Sequence, residues 1–157
     1  MEYQQIVPKT DLARKTRQVL QAVQRGQTAI IESHGHPEAA ILNIEDYRIL
    51  RAGMRHHAHK IAVDPEVGLS DAALSELEDP QEKVDQVIAY YLDEGISLGR
   101  AAELLSLPWL ELRTRFLRLD VPILVGPDQP DEVLDEIRAI KRWESEAAGS
   151  DRHPRNS

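Results

Sequence analysis

The sequence contains no cysteine. That excludes a disulfide framework, a thiolate zinc site and a cysteine nucleophile, and it fits a reducing compartment. Aromatic residues make up only 4% of the chain, with a single phenylalanine, so any core must be assembled mainly from Leu, Ile, Val and Ala. No apolar run approaches the ~18 residues that a membrane-spanning helix needs. The first residues lack the basic-then-apolar pattern of a signal peptide, and a cytoplasmic protein is expected. Also missing are a phosphate-cradling glycine loop, a Gly-x-Ser-x-Gly elbow and any recognisable nucleophile–base set. Catalysis is therefore not expected, and no cofactor is implied.

What the chain does have is charge, unevenly spread. It is 157 residues long with a net charge of −8, enough for one or two small domains. Residues 1–60 carry nine Lys/Arg against six Asp/Glu, a surplus of +3, whereas residues 61–157 carry ten against twenty-one, −11. A basic head on an acidic body suggests two different partners: phosphates for the head, a basic protein for the body.

The hydrophobic patterning gives the order of elements. A short β-like segment runs from Tyr3 to Val7, and Pro8 closes it. Thr10 is placed to cap a helix over Asp11–Arg25, whose stripe is Leu12, Thr16, Val19, Leu20 and Val23. Gly26 stops it. Thr28–Glu32 and Glu38–Ile44 read as two strands joined by a turn at His34-Gly35. Glu45-Asp46-Tyr47 opens a short helix through Arg51. After a weakly patterned connection, Asp79-Pro80-Gln81-Glu82 is a strong helix start, and Gly95 ends that helix. Ser97 caps Leu98–Leu105, Ser106-Leu107-Pro108 interrupts, and Trp109–Leu119 follows. Pro130 begins an amphipathic stretch, and the end from Gly149 is polar.

The run Ile6-Val7-Pro8-Lys9-Thr10-Asp11-Leu12, with Arg25-Gly26-Gln27-Thr28, His34-Gly35-His36-Pro37, Ala39-Ala40-Ile41-Leu42 and Glu45-Asp46-Tyr47, resembles the Phd/YefM family of antitoxins over roughly residues 3–51. The resemblance implies a homodimer in which each chain offers the start of its first helix to a half-site of double-stranded operator DNA. The matching positions are Lys9, Thr10, Arg14, Lys15 and Arg17, joined by His34 and His36 on the hairpin. Lysine and arginine suit that role because they neutralise phosphates and release counterions. The chain departs from the family at Ala13 and Ser33, where many relatives carry arginine. A merely solvated helix face is the competing reading of Arg14, Arg17 and Arg25.

Ser97 to Leu119 has helix-turn-helix form. Ala101 and Ala102 are small where two helices must cross, and Leu112 and Phe116 pack the second helix back on the first. Trp109, Arg113, Thr114, Arg115 and Arg118 are expected on or near the exposed face. The stretch from Leu69 to Trp143 resembles a small family of helix-turn-helix antitoxin-like proteins encoded beside PIN-domain toxins. Either DNA contact or a docking role for this module is open. Antitoxins of this type neutralise through a C-terminal segment, and by that resemblance Val133, Leu134, Ile137, Ile140 and Trp143 are apolar anchors, with Arg138, Lys141 or Arg142 reaching acidic groups of the toxin. Packing of the same helix on its own domain is the alternative. His56, His57 and His59 lack a recognisable ligand spacing, and no metal site is expected.

These readings combine into an α+β protein. Residues 1–55 form a Phd/YefM-like DNA-binding and dimerisation domain, 56–68 a linker, 69–126 a helix-turn-helix domain, and 127–157 a toxin-binding helix and tail. The expected function is an antitoxin that represses its own operon and sequesters a PIN-type ribonuclease. A transcription regulator without a toxin, or an adaptor that no longer binds DNA, is the alternative.

Overall fold

Among the described residues three strands and six helices build a mixed α+β architecture. The computed structural model describes residues 3–124 and Arg142; residues 3–124 fall within one compact unit. The chain opens with β1 (Gln4–Pro8), α1 (Lys9–Gln24), β2 (Thr28–Ser33) and β3 (His36–Ile41). The sheet order is β1-β2-β3, with β1 parallel and β3 antiparallel to β2. A parallel pair needs a crossover, and α1 supplies it.

Ser33 and His36 pair across a two-residue turn in which His34 (φ 53°) and Gly35 (φ 76°) are both left-handed. That conformation matches the twist of the flanking strands. Pro37 lies in β3, an edge strand, beside a register shift at Ile31/Glu32; an edge is where a strand tolerates a residue that cannot donate.

The helix α1 covers one face of the sheet. Val19 and Val23 bury against Val7, Ala29 and Ile31, with Leu12 and Ile41 at the margin. The expected cap at Thr10 is not formed: α1 begins at Lys9 after Pro8, which makes no side-chain cap bond. Thr16 instead turns its hydroxyl back to the carbonyls of Leu12 (2.7 Å) and Ala13 (3.2 Å), a back-bond that bends helices. Lys15 departs from helical geometry (φ −108°, ψ 16°) at this point. Leu20 and Thr16, read as part of the inward stripe, are exposed.

The helix α2 (Ile44–His59) runs eight residues past the expected end at Arg51, so the boundary drawn after residue 55 falls inside it. Asn43 caps it through Glu45 N–H. Ile49 and Ala52 join a larger core with Leu74 of α3 (Asp71–Ser75), Val84, Val87, Ile88 and Tyr91 of α4 (Pro80–Leu92), and Leu98, Ala101 and Ala102 of α5 (Leu98–Leu104). Leu112 and Phe116 of α6 (Trp109–Arg118) complete it. The first helix after the hairpin is thus shared property of the helical half.

The caps expected at Asp79 and Ser97 are present, accepting from Gln81 N–H (2.9 Å) and Arg100 N–H (3.1 Å). The left-handed residue after α4 is Glu94 (φ 61°) rather than Gly95.

His56 is buried within this core. Its Nδ1 accepts from Ile61 N–H (3.1 Å), which leaves Nε2 to donate to Asp93 (3.0 Å). The ring ties the end of α2 to the end of α4. Among the described residues no group of His, Asp and Glu is arranged to hold a metal, and no helix is long and apolar enough to cross a membrane.

Candidate nucleic-acid interface

DNA contact was expected at one surface and left open at a second, and the fold treats the two differently. The first is the start of α1. Its opening amides receive no side-chain cap, and unpaired helix N-terminal N–H groups carry a partial positive charge that favours anions. Lys9, Thr10, Arg14, Lys15 and Arg17 are all exposed here. Lys9 Nζ meets Glu38 of β3 at 3.1 Å, so the hairpin lies beside the helix start. His34 and His36 are exposed at the tip of that hairpin.

The cations of α1 are lightly held. Asp11 accepts from Arg14 (3.0 Å) and from Lys15 (3.5 Å), and the Arg14 side chain is 75% exposed. Exposed pairs of this kind contribute at most about 1 kcal/mol and are screened by salt. Arg17 forms no ion pair among the described residues. Such side chains are free to move onto phosphates at little cost.

The second surface is α6, and here the expectation needs correcting. Arg113 is buried rather than exposed, its guanidinium 5.9 Å from the centroid of the Trp109 ring, and its Nε has no hydrogen-bond partner. Arg115 also turns inward. It donates to Asp46 (2.7 Å), Asn43 (3.3 Å) and Glu111 (2.8 Å). Burial opposes its charge, and the bonds to Glu111 and Asp46 outweigh that effect, so its pKa stands above the ordinary value. Arg118 donates to the other oxygen of Asp46 at 2.6 Å. The reason is local: Asp46 lies in the first turn of α2 and is itself buried, and a buried carboxylate needs paired cations.

No family model, no curated protein and no solved structure matches the chain. What α6 leaves outward is Leu110, Glu111, Thr114 and Leu117. Thr114 bonds back to the Leu110 carbonyl (2.8 Å), and Trp109 is half-buried. Among the described residues α6 itself offers this face no free cation; an exposed one, Arg25 at the end of α1, lines the same pockets as Thr114. The contrast with α1 is one of availability: the arginines of α6 are spent within the fold, while those of α1 are not.

Arg118 has a second role. A Cβ on Gly26 would lie 2.7 Å from its Nη1, and Gly26 adopts φ +101°. The guanidinium therefore rests against the turn between α1 and β2. Through Asp46 and Gly26 it joins the sheet half to the helical half.

Sequence reading missed this clamp. Its signal was present in the three-residue spacing of Arg115 and Arg118, which puts both on one helix face, and in an aspartate at a helix start. Val133, Leu134, Ile137, Arg138, Ile140, Lys141 and Trp143, expected to bind a toxin, lie outside the described residues.

Proposed function

We propose that the protein is a DNA-binding antitoxin of the Phd/YefM type that represses its own operon and sequesters a toxin, with the start of α1 as the reader. The observation that carries this reading is the cluster of exposed, loosely paired cations at an uncapped helix start beside a hairpin. Its chemistry suits a phosphate backbone, with Thr10 within reach of a phosphate or base edge. The toxin, a PIN-type ribonuclease, enters through the resemblance of residues 69–143 to antitoxins of that pairing.

A dimer is part of the reading. The face of the sheet away from α1 presents Ile6, Ile30 and Ala40 in register across the three strands, and Ile6 is 64% exposed. An uncovered apolar row of this kind favours a second copy as its cover. Two copies then offer two α1 starts to two half-sites.

For the helix-turn-helix, the inward-facing Arg115 and Arg118 favour a scaffold or docking role over a second DNA reader.

The test is binding to the DNA upstream of the protein's own gene across a salt series, beside an Arg14→Ala/Lys15→Ala variant. Specific binding is expected, with the variant flattening the dependence of log K on log salt by about two. Failure to prefer upstream DNA over random duplex at low salt would remove the repressor role and leave a protein-binding adaptor.

A further inference from the structure

The outward stripe of α2 has no function in the reading above. Asp46, Ile49, Ala52 and His56 form the inward face of this helix. Tyr47, Leu50 and Met54, at helical spacing on another face, line an open groove of about 1050 Å³ that Leu42 and Ile61 help to close. Met54 is 74% exposed. An α-helix of ~10 Å diameter fills roughly 420 Å³ per turn, so the groove has room for two to three turns.

Charge selects the occupant. Arg51, Arg55 and His59 also line the groove, and no acidic residue among the described ones does, although the whole chain carries −8. Arg51 has no ion pair among the described residues. Arg55 pairs with Asp85 at 2.9 Å while half its side chain stays exposed. A second copy fits poorly. Arg51 lies midway between Tyr47 and Arg55, so two α2 helices crossing on a two-fold axis would oppose like charges at the centre of the contact. The uncovered Ile6, Ile30 and Ala40 of the sheet already offer a second copy an apolar seat.

We propose that the α2 groove docks an acidic amphipathic helix of a partner protein: apolar residues at i, i+3, i+4 and i+7 enter between Tyr47 and Met54, and flanking carboxylates meet Arg51, Arg55 and His59. The site shares no residue with the start of α1, so it stands whether or not that helix reads DNA.

The probe is a fluorescein-labelled helical peptide of about four turns, leucine on the apolar stripe and glutamate elsewhere, titrated into the full-length chain and followed by anisotropy. A twin peptide carries lysine for glutamate. The acidic peptide is expected to bind saturably and more weakly as salt rises. Met54→Glu, at an exposed position that leaves folding intact, is expected to weaken it at least about tenfold, and Arg51→Glu to weaken it as well. Operator binding by both variants should be unchanged. No saturable binding below about 1 mM, equal binding of the two peptides, or indifference to Met54→Glu overturns the proposal. So does a dimer in light scattering that Met54→Glu converts to monomer, since the second copy is then the occupant.

Discussion

Asp46 holds Arg115 with one carboxylate oxygen, at 2.7 Å, and Arg118 with the other, at 2.6 Å. All three side chains are nearly closed to water, 4% exposed for the aspartate and 12% and 10% for the arginines. Removing one member of a buried ion group leaves charge stranded, at a cost of about 3–5 kcal/mol. Asp46→Asn keeps the shape and deletes the charge. It is expected to lower the urea midpoint by 1 M or more, given a slope of about 1–3 kcal/mol per M. Asp11→Asn, in an exposed pair on α1, is the control. Equal shifts for the two variants would show that the clamp contributes nothing.

The same clamp marks where sequence reading stopped. The order of the strands and longer helices, the two-residue hairpin, the caps at Asp79 and Ser97 and the inward pair Leu112 and Phe116 were legible, because each follows from local chemistry or from periodicity; the five-residue α3, capped by Ser70, was not read as a helix. The destination of α2 was not. Its inward stripe of Asp46, Ile49, Ala52 and His56 contains two polar residues, and a stripe is recognised only when it is apolar. Those two are satisfied by Arg115, Arg118, Asp93 and Ile61 N–H, partners 5 to 72 residues away. The arginines of α6 looked like surface charge for the same reason: helical spacing shows which residues share a face, and only tertiary packing shows what that face meets. The exposure of Leu20 on α1 reverses the error, an apolar residue within a stripe that the sheet is too narrow to cover.

Gly26 and Arg118 should be energetically coupled. An alanine at φ +101° costs about 1–2 kcal/mol from backbone strain alone, and in this chain its methyl also meets the Arg118 guanidinium. That group is the end of a flexible side chain, but the bond to Asp46 limits its retreat. Gly26→Ala is therefore expected to cost more in the parent chain than in an Arg118→Ala background. A double-mutant cycle by urea titration should give a coupling above ~0.5 kcal/mol. Additive losses would mean that the guanidinium moves aside without penalty.

Tyr91 gives a pH dependence with a fixed sign. Its hydroxyl donates to the Pro122 carbonyl (2.7 Å) and accepts from Leu124 N–H (2.8 Å), which ties the segment after α6 to α4. Burial raises its pKa above the ordinary 10.0, the Leu124 bond opposing in part. Above about pH 10 the unfolded chain releases this proton while the native chain keeps it. The unfolded state then binds fewer protons, and stability falls as pH rises through the native value. At pH 8, Tyr91→Phe should cost about 1–3 kcal/mol, since it removes two hydrogen bonds whose net worth is about 0.5–1.5 kcal/mol each. The gap between variant and parent should narrow progressively above pH 10. A gap constant to pH 11 would place the tyrosine ionisation elsewhere.

The two candidate DNA surfaces separate in one pair of substitutions. Thr10 lies in the first turn of α1, exposed beside the uncapped amides, and Thr114 lies on the outward face of α6, exposed and bonded only to its own helix. Neither side chain supports the core, so glutamate at either position should leave the unfolding free energy within about 0.5 kcal/mol of the parent. At position 10 the new carboxylate would face the phosphates that Lys9, Arg14 and Lys15 are proposed to neutralise, and operator affinity is expected to fall by about tenfold or more. At position 114 it would join Glu111 on a helix face that offers no free cation of its own, with only Arg25 across a shared pocket among the described residues, and affinity should hold. A loss at Thr114→Glu with none at Thr10→Glu would reverse the assignment and make α6 the reader despite its inward arginines. Losses at both would require a duplex spanning the two halves, which the Asp46 clamp would then hold in fixed register.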